Sequence, residues 1–67
     1  MLGTFERNIG WYFIYRSNLE TYNCYQAQGM RHICTFPPGF NAWQSARDIK
    51  IWLLATGNIT DPNPKEK

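Results

Sequence analysis

GWYFIYR, residues 10–16, decides how the chain is read, because Trp11 to Tyr15 is an unbroken run of large apolar and aromatic side chains. Trp, Tyr, Phe and Ile all suit a pleated surface, and no Gly or Pro interrupts them, so Trp11–Arg16 is expected to be a strand. A strand covered on one face alternates apolar with polar residues; this one does not. Successive side chains on a strand point to opposite sides. Trp11, Phe13 and Tyr15 therefore share one face and Tyr12, Ile14 and Arg16 the other. A chain of 67 residues has little material with which to cover both.

Outward from this run, Ser17-Asn18-Leu19-Glu20 supplies turn chemistry, with Asn18 suited to a left-handed backbone. Thr21–Gln26 follows as a second strand. Gln28-Gly29 makes the next turn and Met30–Phe36 a third strand, which Pro37-Pro38-Gly39 ends, since proline cannot donate to a ladder. From Ala42 the period changes. Ala42, Ala46, Ile49 and Leu53 fall at the spacing of one helical face, with Asn41 as the expected N-cap, Thr56 as the end and Gly57 just beyond it. The expected fold is α+β: a three-stranded antiparallel β-meander followed by one C-terminal α-helix packed on one face, βββα, spanning residues 10–57. Residues 1–9 form a lead-in that is either a short edge element or loose, and residues 58–67, rich in Pro and charge, a solvated tail.

Pairing Ile14 with Cys24 and Cys24 with Cys34 would bring Tyr12, Ile14, Tyr22, Cys24, Cys34 and Phe36 onto one face, where the small thiols leave room for a helix. That face is the expected core. Trp11, Phe13, Tyr15 and Tyr25, with Ile33, remain on the opposite side. On the helix, Trp43, Ile51 and Leu54 gather with Arg47 on a second flank away from the core stripe. Contiguous apolar patches of this kind mark interfaces, and Trp, Tyr and Arg are the residue types most enriched at binding hot spots. The alternative is that Leu2 and Phe5 of the lead-in fold over one of the patches.

Composition narrows the function classes. Hydrophobic residues make up 43% and aromatic residues 16%, which argues for a folded domain rather than disorder. Seven Lys+Arg against five Asp+Glu give a formal charge of +2, too mild for a protein that neutralises many phosphates. No apolar run reaches the length of a membrane span, and the first residues lack the charged and apolar regions of a signal peptide, so a cytoplasmic location is expected. Cys24 and Cys34 are then expected as reduced, buried thiols. With His32 between them they are too few, and wrongly spaced, for a zinc site. No nucleophile elbow, phosphate loop or His-Glu-x-x-His motif is present, so neither an enzyme, nor a metal, nor any other cofactor is expected.

The order of three strands and a helix resembles that of the arm-binding domains of phage integrases and of AP2-type DNA-binding domains, over roughly residues 10–56. In those modules the sheet carries basic side chains into a groove; the corresponding strands here offer Arg16 and Arg31, with His32, among aromatics. The overall profile is also similar to that of the small accessory proteins of phages and mobile elements that inhibit host defence factors. The leading expectation is a non-enzymatic binding protein that holds a protein partner, foreign or a second copy in a homodimer, through Trp11, Phe13, Tyr15, Tyr25, Trp43, Arg47, Ile51 and Leu54. The alternatives are a nucleic-acid-binding module in which the rings stack bases while Arg16 and Arg31 hold phosphates, and a dimer that captures a nucleotide or small ligand.

Overall fold

The computed structural model describes residues 2–60. Four strands and one helix follow in the order β1 (Thr4–Ile9), β2 (Tyr12–Arg16), β3 (Tyr22–Gln26), β4 (Arg31–Thr35) and α1 (Ala46–Ala55). The strands pair with their sequence neighbours in a four-stranded antiparallel meander, β1-β2-β3-β4. The architecture is thus α+β with a C-terminal helix, and it has one strand more than the three expected. The added strand is β1, which occupies most of the stretch read as a lead-in.

The central register is the expected one. Ile14 lies opposite Cys24, and Cys24 opposite Cys34. Tyr12, Ile14, Cys24 and Phe36 are buried, and Tyr22 and Cys34 pack against them half-buried. Ala42, Ile49 and Leu53 close this core from the helix side, and Ile9 adds to it from β1. Phe36 also stacks face to face on Phe40, their centroids 3.8 Å apart, and meets Trp52 at 5.3 Å. Residues 37–40 thereby form a ring-lined corner that turns the chain from the sheet toward the helix.

Both edge strands carry a bulge. On β1 the register slips between Phe5 and Arg7, so that Glu6 has no direct partner on β2. On β4 the slip leaves Ile33 between His32, which opposes Tyr25, and Cys34, which opposes Cys24. An extra residue in one strand sets the side chains on either side of it out of simple alternation. Ile33 consequently packs against the core, and His32 takes the outward position beside Tyr25 that strict alternation gives to Ile33. Bulged edges also make poor templates for edge-to-edge pairing with other chains.

The helix begins later than expected. Ser45 is its N-cap, its hydroxyl accepting from the backbone N–H groups of Arg47 and Asp48. Asn41 caps the preceding turn instead: its side chain accepts from the Trp43 N–H at 3.0 Å and its carbonyl from the Gln44 N–H at 3.3 Å. Ala42 is buried all the same, from that turn. At the other end, Gly57 N–H donates to the Leu54 carbonyl and Asn58 N–H to that of Leu53, the paired bonds of a Schellman motif with Gly57 at φ +77°. This motif directs Ile59, a residue read as tail, back into the core, where it is buried. The remainder of the expected tail, residues 61–67, lies outside the described residues. In the β2–β3 turn the left-handed residue is Glu20, at φ +64°, rather than Asn18.

Candidate functional site

The register assigns the face of the sheet turned away from the helix. Tyr15 opposes Phe5 and Asn23; Phe13 opposes Asn8 and Tyr25; Asn23 opposes Thr35; Tyr25 opposes His32. These eight residues face outward together, and among them there is no Lys, Arg, Asp or Glu. Their rings are in mutual contact. Phe5 meets Phe13 at 5.7 Å and Tyr15 at 5.5 Å, Tyr15 meets Tyr25 at 5.6 Å, and Tyr25 meets His32 at 5.3 Å, all edge to face. Edge-to-face geometry sets the positive rim of one ring against the negative face of the next, and each such pair is worth about 0.5–1.5 kcal/mol beyond area burial. The row is therefore pre-ordered as well as apolar.

Of the residues expected here, Phe13, Tyr15 and Tyr25 stand in this row, half-buried. Trp11 does not. It lies in the β1–β2 turn and packs against the core, its carbonyl accepting from the Ala27 N–H. The lead-in contributes Phe5, which extends the row across β1 and is itself 52% exposed. It packs edge-on against Phe13 and Tyr15 and adds its own exposed ring to the aromatic surface. His32 and Phe5 were not legible as members: His32 reaches the face through the β4 bulge, and Phe5 through a strand whose alternation is broken by Glu6.

At one end the row runs into a depression of about 290 Å³ beside Tyr25, lined by Leu2, Gly3, Leu19 and Asn23 among others. Leu19, at the tip of the β2–β3 turn, is 85% exposed, the most solvent-accessible large apolar side chain of the described residues. Gly3 is required where it stands. A Cβ on it would lie 2.3 Å from the Arg16 carbonyl oxygen, and its φ is +96°. Only glycine lets the start of β1 approach β2 this closely and bring Leu2 to the rim.

The second expected patch is partly tied down. Trp43 is 63% exposed, yet its indole Nε1 donates to Glu6 Oε2 at 2.8 Å and the Arg7 guanidinium lies 4.9 Å from its ring centroid. Arg7 Nη1 also donates to the carbonyls of Ala42 at 3.0 Å and Gln44 at 2.7 Å. The β1 bulge makes this clasp possible, since it turns Glu6 and Arg7 both toward the helix side. Leu54 is half-buried against the core, while Arg47 and Ile51, four residues apart on α1, stay exposed. The flank is thus a ring held by a clasp, with Ile51 separately exposed on α1.

The arginines expected to hold phosphates stand apart from the aromatic row. Arg16 is opposite Tyr22 and Arg31 opposite Gln26, positions of the helix-side parity, and Arg16 Nε lies 3.9 Å from Glu6 Oε1. Comparison of the chain with protein-family models, with curated proteins and with solved structures finds no match. Among the described residues, no helix is long and apolar enough to cross a membrane, and no group of His, Cys, Asp and Glu is placed to hold a metal.

Proposed function

We propose that the chain is a non-enzymatic binding protein that holds a protein partner on the outer face of its sheet, with Phe13, Tyr15 and Tyr25 as the central contacts and Phe5, His32 and Leu19 around them. The observation that carries this reading is the charge-free row of edge-to-face rings on the face opposite the helix. Rigid, amphipathic rings lose little side-chain entropy when a partner covers them, and phenol hydroxyls can bond at the rim. The depression beside Tyr25 offers a place for one protruding partner side chain. A protein of this size that works by covering a surface fits the mode of a small inhibitor of a host factor encoded by a phage or mobile element.

The nucleic-acid reading draws less support, because stacking rings and phosphate-binding cations would have to act together and Arg16 and Arg31 are on the other side of the sheet. The test is the molar mass of the purified protein in dilute solution, alone and with a single-stranded oligonucleotide, followed by capture of its partner with wild type and with Tyr15→Ser. Oligonucleotide binding that survives physiological salt, or undiminished capture by a folded Tyr15→Ser, would overturn the proposal.

A further inference from the structure

Cys24 and Cys34 are the two cysteines of the chain, both are free thiols, and they sit directly opposite one another on β3 and β4. Residues directly opposed in an antiparallel pair have Cα atoms about 4.5 or 5.5 Å apart, and both spacings lie within the roughly 4.4–6.8 Å that a disulfide spans. Their surroundings differ. Cys24 is 0% exposed at the centre of the core, whereas Cys34 is half-buried on the edge strand, next to the Ile33 bulge. We propose that this pair is a redox-active cross-strand dithiol, which reacts with small disulfides of the glutathione type and closes into an intramolecular disulfide.

The division of labour follows from exposure and hydrogen bonding. Hydrogen bonding between the two thiols holds Cys34 below its ordinary range despite some opposing desolvation; the same contact, with burial, pushes Cys24 up. Cys34 is thus both the more accessible sulfur and the more readily ionised, the two properties an attacking thiol needs. Its thiolate attacks one sulfur of oxidised glutathione, forming a Cys34–glutathione mixed disulfide and releasing one glutathione thiolate. Cys24 then attacks the Cys34 sulfur, forms the Cys24–Cys34 bond and expels the second glutathione. The protein pair loses two electrons and two protons, and one disulfide becomes two thiols. Cβ atoms opposed across strands stand about 4.5–5.5 Å apart, wider than the roughly 3.5–4.5 Å of a relaxed disulfide. Closure therefore draws the edge strand inward, and the bulge at Ile33 is the point at which β4 can give. A strained bond of this kind is readily reduced again, as reversible disulfides are.

Folded protein is incubated with excess oxidised glutathione under native conditions, quenched by alkylation, and weighed intact, with circular dichroism recorded on the same sample. Wild type is expected to lose two hydrogens, retain no glutathione, and return to its starting mass on treatment with dithiothreitol. Cys24→Ala is expected to retain one glutathione, since nothing is left to expel it, and Cys34→Ala to remain unmodified over the same period. A folded wild type that stays fully reduced, or that accumulates glutathione without closing, would overturn the proposal. So would modification of Cys24 in a folded Cys34→Ala at the wild-type rate. The wild-type arm decides by itself if either variant fails to fold.

Discussion

The two faces of one sheet differ less in composition than in fate. On β2, Tyr12 and Ile14 look inward and are almost wholly enclosed by the helix and the 36–42 segment, while Phe13 and Tyr15 look outward, where they meet other rings and lie opposite Asn8 and Asn23. Both pairs are large and apolar. What separates them is the helix: α1 can cover one side only, and it covers the side where the opposed cysteines leave room. Apolar content alone thus identifies neither the core nor the binding surface. The position of the one covering element does.

The largest expected contrast is between truncations on the two sides. Leu53→Ala and Ile14→Ala each empty a fully buried site, and such deletions cost about 2–5 kcal/mol, comparable to the whole stability of a domain this small. Urea denaturation is expected to show both variants largely unfolded. A midpoint near that of wild type for Leu53→Ala would mean that the helix does not seal the core as described. Next is Gly3→Ala, which must relieve the clash with the Arg16 carbonyl and adopt a positive φ, at roughly 1–3 kcal/mol. Because β1 carries Phe5, nuclear magnetic resonance of this variant should show the Phe5, Phe13 and Tyr15 ring signals shifting while the methyl signals of Ile49 and Leu53 hold. Unshifted outer rings would disconnect the Gly3 approach from the aromatic row.

A smaller effect distinguishes the two caps. Ser45→Ala removes the acceptor for two helix N–H groups and is expected to lower stability by about 1 kcal/mol. Asn41→Ala removes one bond in an exposed turn, so its thermal midpoint should fall less than that of Ser45→Ala. The reverse order would place the helix start at Asn41.

How much of this was visible in the residues depends on where alternation holds. The run Tyr12 to Arg16, the strands after it and the Ile14–Cys24–Cys34 register follow from uninterrupted pleating and turn residues, and all are present. The misreadings sit at interruptions. Glu6 breaks the alternation of Thr4–Ile9, so a real strand looks like a mixed segment, and Ile33 exchanges roles with His32 for the same reason. The helix start was ambiguous because Asn41 and Ser45 are both capable caps and Ala42 keeps the stripe from either. Of the candidate site, Phe13, Tyr15 and Tyr25 were readable by parity on β2 and β3. Trp11 was misplaced because a strand and a turn residue look alike at the end of an apolar run, and the Glu6–Trp43–Arg7 clasp joins residues far apart in sequence.

The central claim is that the outer aromatic face is a working surface and the inner face the core. Adjacent residues on β2 test it most directly, with Phe13→Ser/Tyr25→Ser set against Ile14→Ala in one urea titration that is paired with a partner-capture assay. The outer double variant removes four ring contacts worth about 0.5–1.5 kcal/mol each, and is expected to keep a higher urea midpoint than Ile14→Ala and to lose capture under conditions in which circular dichroism shows it folded. Ile14→Ala is expected to be largely unfolded. An outer double variant that unfolds as readily as Ile14→Ala, or one that folds and still captures the partner as wild type does, would contradict the claim.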